Sequence, residues 1–393
     1  MYAFSQSRPV LYISGILHNW KETLIGVLHY WRLRHECISN KTVLLVEFNP
    51  FHGETLPGFA QYFQNLGYDV IVVTRYVSYS DSPFVRMKVK PRHFCLTLWG
   101  MRHFLKSVKA QQFDFILYNS AHLYLKEYRF YGRVDGFLGG RIFSGRKGFA
   151  LIEHSLIPGA DLEYFHKLAD DAPAKQNLFH NSFVLTSQVV EEHLIPMLNP
   201  CYFGELKKEH RLHRKRIFLT IGNVASNSRN FHQLFDALAH LDDNESFEVW
   251  IIGKVLDESL VKIIPPNVKV LGRLTFAQMY DCLEQADFFL PLLDPQTQVS
   301  YLHGCTSGSR QLILGFRIPP IIHKAFASHY GFAKESCLSY TDENTFAAAL
   351  MQTMRMGDDE YTNMKSALDK TSQNVYQESL DNLRRVVASQ GDF

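Results

Sequence analysis

The sequence predicts an α/β protein built as two doubly wound domains that face each other across a cleft. Three observations carry that prediction. The chain has 393 residues, too many for one ordinary core. Apolar, β-branched runs alternate with segments of helical spacing along its length, the order that builds parallel sheets. The alternation is interrupted once, by "KKEHRLHRKR" (207–216), the densest charge run in the chain, and then starts afresh.

The first half opens with "VLYISGILHNWKETLIGVLHYWRLRH" (10–35), in which Lys21, Glu22, Arg32 and Arg34 break any run long enough to span a bilayer. It lacks the charged start and small-residue cleavage site of a signal peptide. Its mixture of Trp20, Tyr30, Trp31 and bases suits a membrane surface; packing on the first domain is the commoner use of such a helix. "TVLLVEF" (42–48) has the continuous apolar pattern of a strand buried on both faces. "LPGFAQYFQNLG" predicts a helix closed by Gly67, and "YDVIVVTR" the next strand. "FDFILYNS" (113–120), "GFALIEHS" (148–155) and "SFVLTSQ" (182–188) supply further strands.

After the charge run, "RIFLTIG" (216–222), "FEVWIIG" (247–253), "NVKVLG" (267–272) and "DFFLPLL" (287–293) predict strands. "NFHQLFDALAHL" (230–241), "FAQMYDCLEQA" (276–286) and "ENTFAAALMQTM" (343–354) predict helices. "YLHGCTSGSRQLILGFRIPPIIH" (301–323) sets a turn of small hydroxyl residues before a short helix that Pro319 and Pro320 stop. The polar stretch from Glu360 to about Ala388 is long enough to cross back to the first half. The expected division is a domain over 1–206, a solvated linker over 207–215, a domain over 216–358 and a returning helix over 359–393.

Composition narrows the class. Hydrophobic residues make up 46% and charged residues 20%, as in a folded globular protein. A formal net charge of +2 argues against nucleic acid as a partner. The six cysteines form no C-x-x-C pair, which suits reduced thiols in a cytoplasmic protein rather than a zinc site or a disulfide framework.

In a parallel α/β sheet, ligands collect where strands end and helix N-termini begin, and the free N–H groups there favour phosphate. "IGNVASNSRNF" (221–231) leaves a strand through Gly222 and enters a helix with Arg229 at its start. "TSGSRQLIL" (306–314) repeats the arrangement, with Ser307 or Ser309 as the helix cap. A guanidinium beside two such helix starts suits a diphosphate. Taken singly, each of these features is as readily an ordinary cap or an ordinary surface arginine.

At these residues the chain resembles glycosyltransferases of the GT-B architecture, specifically the group-1, family-4-like enzymes that use nucleotide sugars. The resemblance is best over about 214–356. Members carry Gly-Arg after a strand and a Lys six residues beyond that Arg, both holding the donor diphosphate. Here Gly222 is followed by Asn223, and Arg229 stands at the Lys position. "VKVLGRLTFAQMYDCLEQADFFLPLLDP" (268–295) is similar to the family's nucleotide-base segment, which implies base contacts at Gly272, Arg273 and Leu274. The family's paired glutamates, eight positions apart, are missing; the first falls near His303 or Gly304 and the second near Gln311 or Leu312, and Gln311 could still hydrogen-bond ribose hydroxyls. The turn of Thr306, Ser307, Gly308 and Ser309 would then grip the donor phosphates, with Lys254 adding charge.

The resemblance assigns the acceptor side to the first domain. His52 and Glu54 follow its first strand, His122 a later one, and His154 ends the "FALI" strand where many relatives place a histidine near the reacting carbon. A lone histidine is more often structural, and Glu54 or Glu153 could serve as acid or base instead. With no Asp-x-Asp in the chain, phosphate neutralisation is expected from Arg229 and helix N-termini rather than from a metal. Neither half shows Gly-x-Gly-x-x-Gly, so no dinucleotide cofactor is expected.

The expected function is a cytoplasmic, metal-independent glycosyltransferase, with retention implied by the resemblance. It would move a sugar from a nucleotide-diphosphate donor to a hydroxyl of a glycan or lipid-linked acceptor, as in surface polysaccharide or glycolipid synthesis. It needs no cofactor, and peripheral contact with the inner face of a membrane is compatible with it. A nucleotide-sugar epimerase of the same build and a non-catalytic, nucleotide-sugar-binding partner subunit are the alternatives.

Overall fold

The computed structural model describes residues 8–47, 49, 52–120, 148–154, 181–186, 188–190, 193–207, 212–225, 229–239, 241, 246–303 and 305–391. His122 lies outside them. In the first half, β1 (Thr42–Glu47), β2 (Asp69–Thr74), β3 (Arg92–Cys95), β4 (Phe115–Asn119), β5 (Phe149–Glu153) and β6 (Ser182–Val184) form one sheet. Its order is β3-β2-β1-β4-β5-β6, and every pairing is parallel. Every residue of β1 is buried, because helices cover both faces of a parallel sheet. A short antiparallel pair, β7 (Gln188–Val190) and β8 (His193–Ile195), follows.

The second half repeats the plan. β9 (Arg216–Ile221), β10 (Phe247–Ile252), β11 (Val268–Gly272) and β12 (Phe288–Phe289) form a parallel sheet in the order β11-β10-β9-β12. Phe289 N donates to Pro319 O at 3.0 Å, which carries the sheet on to the parallel pair β13 (Ile321–His323) and β14 (Leu338–Tyr340). The strand expected over 287–293 pairs only at Phe288 and Phe289. Pro291 has no N–H for the ladder, and Leu292 turns the chain with a left-handed φ of 52°.

The principal helices are α1 (Arg8–His35), α2 (Leu56–Asn65), α3 (Leu98–Leu105), α4 (Phe231–Ala239), α5 (Phe276–Gln285), α6 (Gly308–Phe316), α7 (Glu343–Arg355) and α8 (Asp358–Gly391). Their boundaries follow from local chemistry. Thr275 with Gln278, and Asp342 with Thr345, form capping boxes that start α5 and α7. Arg317 takes a left-handed φ of 54° and ends α6, with Pro319 and Pro320 just beyond. α1 packs inward through Gly26, His29 and Leu33, and His29 Nδ1 accepts from Cys95 N at 2.8 Å.

Two devices tie the halves together. Arg86 of the first half, its side chain almost wholly buried, forms ion pairs with Asp281 at 2.5 Å and Glu284 at 2.6 Å on α5. Asp81 meets the start of the same helix, accepting from Phe276 N at 3.1 Å. α8 spans both cores: Tyr361 and Met364 pack in the second, Leu380 and Leu383 in the first. Its buried polar side chains each find a backbone partner on the way. Ser372 Oγ donates to Leu314 O at 2.8 Å, Ser379 Oγ accepts from Asn199 N at 3.0 Å, and Asn382 Nδ2 donates to Met197 O at 2.8 Å. At the ends of the charge run, Lys207 pairs with Asp281 at 2.5 Å and Lys215 with Glu248 at 3.1 Å.

Candidate functional site

Both sheets have the strand order in which the chain reverses direction between the first strand and the fourth, opening a crevice at their carboxyl ends. The candidate residues gather at these two switch points.

In the first half, β1 ends at Glu47 and β4 at Asn119, the two strands flanking the reversal. Glu47 is fully buried. It accepts from Asn49 N at 2.5 Å, from Ser120 Oγ at 2.9 Å and from Asn119 Nδ2. Burial dominates its chemistry and raises its pKa to about 8, although a charged His52 and these hydrogen bonds favour the carboxylate. Asn119 passes the network on, since its Oδ1 lies 2.8 Å from His154 Nε2 at the end of β5. His154 is buried, and its ring meets that of His52 with centroids 4.3 Å apart.

His52 itself is 30% exposed and sits 3.6 Å from the equally accessible Glu54. Burial works against a charged imidazole, yet Glu54 and Glu47 together outweigh it and hold His52 above its ordinary range. The sequence-predicted His52, Glu54 and His154 are therefore brought together. His52 and Glu54 face outward, and His154 supports them from behind. Glu153, also buried, ends β5 beside this group.

In the second half, Gly222 leaves β9 with a φ of 151°, a conformation that favours glycine. A Cβ at Gly253, after β10, would lie 1.9 Å from Gly222 O, so the two loops can approach only with a glycine at 253. Arg229 lies along this turn, its Nε 3.0 Å from where a Gly222 Cβ would stand. Its Nη1 donates to Pro291 O at 3.0 Å and its Nη2 to Ser309 Oγ at 3.3 Å. One guanidinium thus links the ends of β9 and β12 to the first turn of α6. Asn223 Oδ1 accepts from Lys254 N at 3.3 Å; the Lys254 and Arg273 side chains are exposed, and Leu274 is half-buried.

The first turn of α6 is partly occupied by the protein's own groups. Ser307 Oγ accepts from Ser309 N at 3.3 Å as the helix cap, and Ser307 N donates to Tyr330 OH at 3.3 Å. Gly308 is exposed, with open space where a side chain would be. Thr306 Oγ1 lies 2.9 Å from Thr186 Oγ1, just past β6 of the first half. Gln311 is the residue expected to contact the ribose. It is buried, and with its amide turned to satisfy both atoms its nitrogen donates to Ser307 O at 2.7 Å. It closes its own helix turn because it lies on the inner face of α6.

Sequence reasoning missed Glu47, Asn119 and Arg310. Arg310 is 4% exposed and donates to Tyr330 O at 3.2 Å and, across the halves, to Leu185 O at 3.1 Å. Among the described residues no carboxylate forms an ion pair with Arg229 or Arg310, and burial pulls the pKa of both down. A carboxylate closing an otherwise apolar strand and an arginine directly after the Ser-Gly-Ser turn were the available signals. Among the described residues, no group of three or more His, Cys, Asp or Glu is placed to hold a metal ion, and no helix is long and apolar enough to cross a membrane.

No protein-family model matches the chain, and no curated protein matches its sequence. Solved structures do. The chain is similar to an α-glucosyltransferase in complex with UDP and a 13-mer DNA containing a central A:G mismatch, with a TM-score of 0.51 and 13% identity over 87% of this chain and 95% of that one. It is also similar to the spinosyn rhamnosyltransferase SpnG, with a TM-score of 0.49 and 13% identity over 88% and 99% of the two chains. A protein of Listeria monocytogenes described as a UDP-N-acetylglucosamine 2-epimerase gives a TM-score of 0.46 and 10% identity over 86% and 94%. Two doubly wound α/β halves, joined by a helix that returns from the second to the first, give this chain the fold of the GT-B glycosyltransferases.

Proposed function

We propose that the chain is a nucleotide-sugar-dependent glycosyltransferase acting on a hydroxyl of a glycan or lipid-linked acceptor. One observation carries the reading: at the first turn of α6 two arginines, the half-buried Arg229 and the buried Arg310, donate to neutral acceptors, and among the described residues no carboxylate forms an ion pair with either. A buried charge without a counter-ion is costly, and a diphosphate would relieve that cost. Arg229 would hold the leaving diphosphate together with the exposed backbone at Gly308, and Arg310 would add positive potential from behind. No divalent metal is needed in this scheme, and activity in EDTA is expected.

The first-half cluster would bind and activate the acceptor. His52, oriented by Glu54, takes the proton of the attacking hydroxyl as the glycosyl carbon–phosphate oxygen bond breaks. The electron pair of that bond leaves with the nucleoside diphosphate, where the cationic turn receives it.

A panel of nucleotide sugars, with calorimetry for binding and product analysis for turnover, tests the proposal. Transfer, or slow donor hydrolysis without acceptor, is the expected outcome. Epimerisation of the donor sugar, or tight binding with no turnover across the panel, would overturn it.

A further inference from the structure

Among the described residues, the outer face of α1 is exposed from Trp20 to Trp31. Trp20, Leu24, Val27, Leu28 and Trp31 fall within about 100° of arc on an ideal helix, opposite the buried Gly26, His29 and Leu33. They are large and exposed, with Trp20 at 64%, Leu24 at 66% and Trp31 at 55%. α3 runs alongside: a Cβ at Gly26 would lie 2.9 Å from Thr97, its cap residue, and one at Gly100 would lie 3.8 Å from Tyr30. α3 carries a further exposed tryptophan, Trp99, at 68%. Three of the four tryptophans in the chain are thus exposed on these two neighbouring helices.

Among the described residues, the charges around this surface are mainly basic. Residues 23–35 and 98–112 contain Arg32, Arg34, Arg102, Lys106 and Lys109 and no Asp or Glu. The acids nearest to α1's outer face are already engaged, Glu22 with Arg75 at 3.6 Å and Glu36 with Arg92 at 2.5 Å. Arg34 lies over the rings of Tyr30 and Trp31, at 5.9 and 6.0 Å from their centroids, so its stem lies along the apolar band with its charge at the edge. Exposed tryptophans in an apolar band, bordered by bases and with the acids of α1 held in ion pairs, match the chemistry of an anionic lipid interface: rings at headgroup depth and cations against lipid phosphates.

We infer that the outer faces of α1 and α3 form a docking surface for an anionic lipid bilayer. The inference is independent of sugar transfer, since it uses none of the residues at the two switch points.

The test is flotation of the full chain with vesicles of phosphatidylcholine alone and of phosphatidylcholine mixed with phosphatidylglycerol, followed by tryptophan fluorescence. The protein should float with the anionic vesicles, with a blue shift in emission, and be released by high salt. Leu24→Ser with Leu28→Ser should lower partitioning at least tenfold, and Arg32→Gln with Arg34→Gln should weaken it selectively on anionic vesicles. All four side chains are exposed, so circular dichroism and Tm should stay at the parent values; a parallel measurement confirms that the variants are folded. Failure of the folded parent chain to bind either vesicle overturns the inference. So does a concentration-dependent dimer in light scattering that the Leu24→Ser, Leu28→Ser variant abolishes, because the face would then belong to a second copy of the chain.

Discussion

The two switch points share a strand order and differ in everything they present. In the first half the strand ends carry groups that can exchange protons: Glu47, His52 and His154, with Glu54 beside them. In the second half they carry glycines and arginines, which can approach and hold an anion but cannot titrate near neutrality. The backbone geometry is equivalent, so the chemistry was set by a few residues just past the strand ends. Under the proposed function, a duplicated architecture would divide the labour of a group transfer, with proton handling on one side and charge binding on the other.

That division can be broken most strongly on the proton side. His52→Ala should lower kcat by roughly 10²- to 10⁴-fold, the usual range for a general base, while nucleotide affinity measured by calorimetry stays unchanged. The same residue gives a pH signature. A base acts only when neutral, and His52 is held above its ordinary 6.5, so the acid limb of kcat/KM should lie above that value. Glu54→Gln removes the leading cause of that elevation and should move the limb to lower pH. A limb that does not move would leave Glu54 without a part in the chemistry.

Glu47 sharpens the comparison through stability. Its carboxyl releases a proton near 4.5 in the unfolded chain and near 8 in the folded one. Between those values folding takes up a proton, so the contribution of Glu47 to stability is lost as pH rises and is fully lost above about pH 8. Glu47→Gln should flatten that slope, with a gain over the parent on the order of a few kcal/mol on the alkaline side, less whatever the altered hydrogen bonds cost. Denaturant titrations across the pH range measure it; parallel stability curves for parent and variant would show that Glu47 is ionised in the fold.

On the anion side the effects are smaller and fall on binding. Arg229→Ala should weaken nucleoside diphosphate affinity by roughly 1.5–3 kcal/mol, the range for a hydrogen bond to a charged group, with little effect on the pH profile. An unchanged calorimetric affinity would remove Arg229 from the donor site. Smallest of all, Ser307→Ala should cost about 1 kcal/mol of stability through the lost cap, because its hydroxyl already serves Ser309 N.

How much of this was legible beforehand depended on range along the chain. Apolar runs located β1, β9 and β10, since burial on both faces leaves a local pattern in the residues themselves. A serine cap at 307 or 309 and a stop at Pro319 were legible, because both act within one helical turn, and the structure places the cap at Ser307. Arg229 and His52 could be named as candidates only from their positions after strands.

What they touch was settled by the tertiary structure. The contact between His52 and His154, the bond from Asn119 to Glu47, and the reach of Arg310 to Leu185 all join segments separated by crossovers, and no local periodicity encodes which strand ends become neighbours. Gln311 shows the same limit at short range, since its position on α6 was plain but the face it presents was fixed by how that helix packs. The sequence by itself determined the principal strands and helices of the two halves, their order and the residue types at their ends. Packing decided which of those residues lost water and found each other, and so which pKa values moved, because desolvation and long-range pairing exist only in the assembled fold.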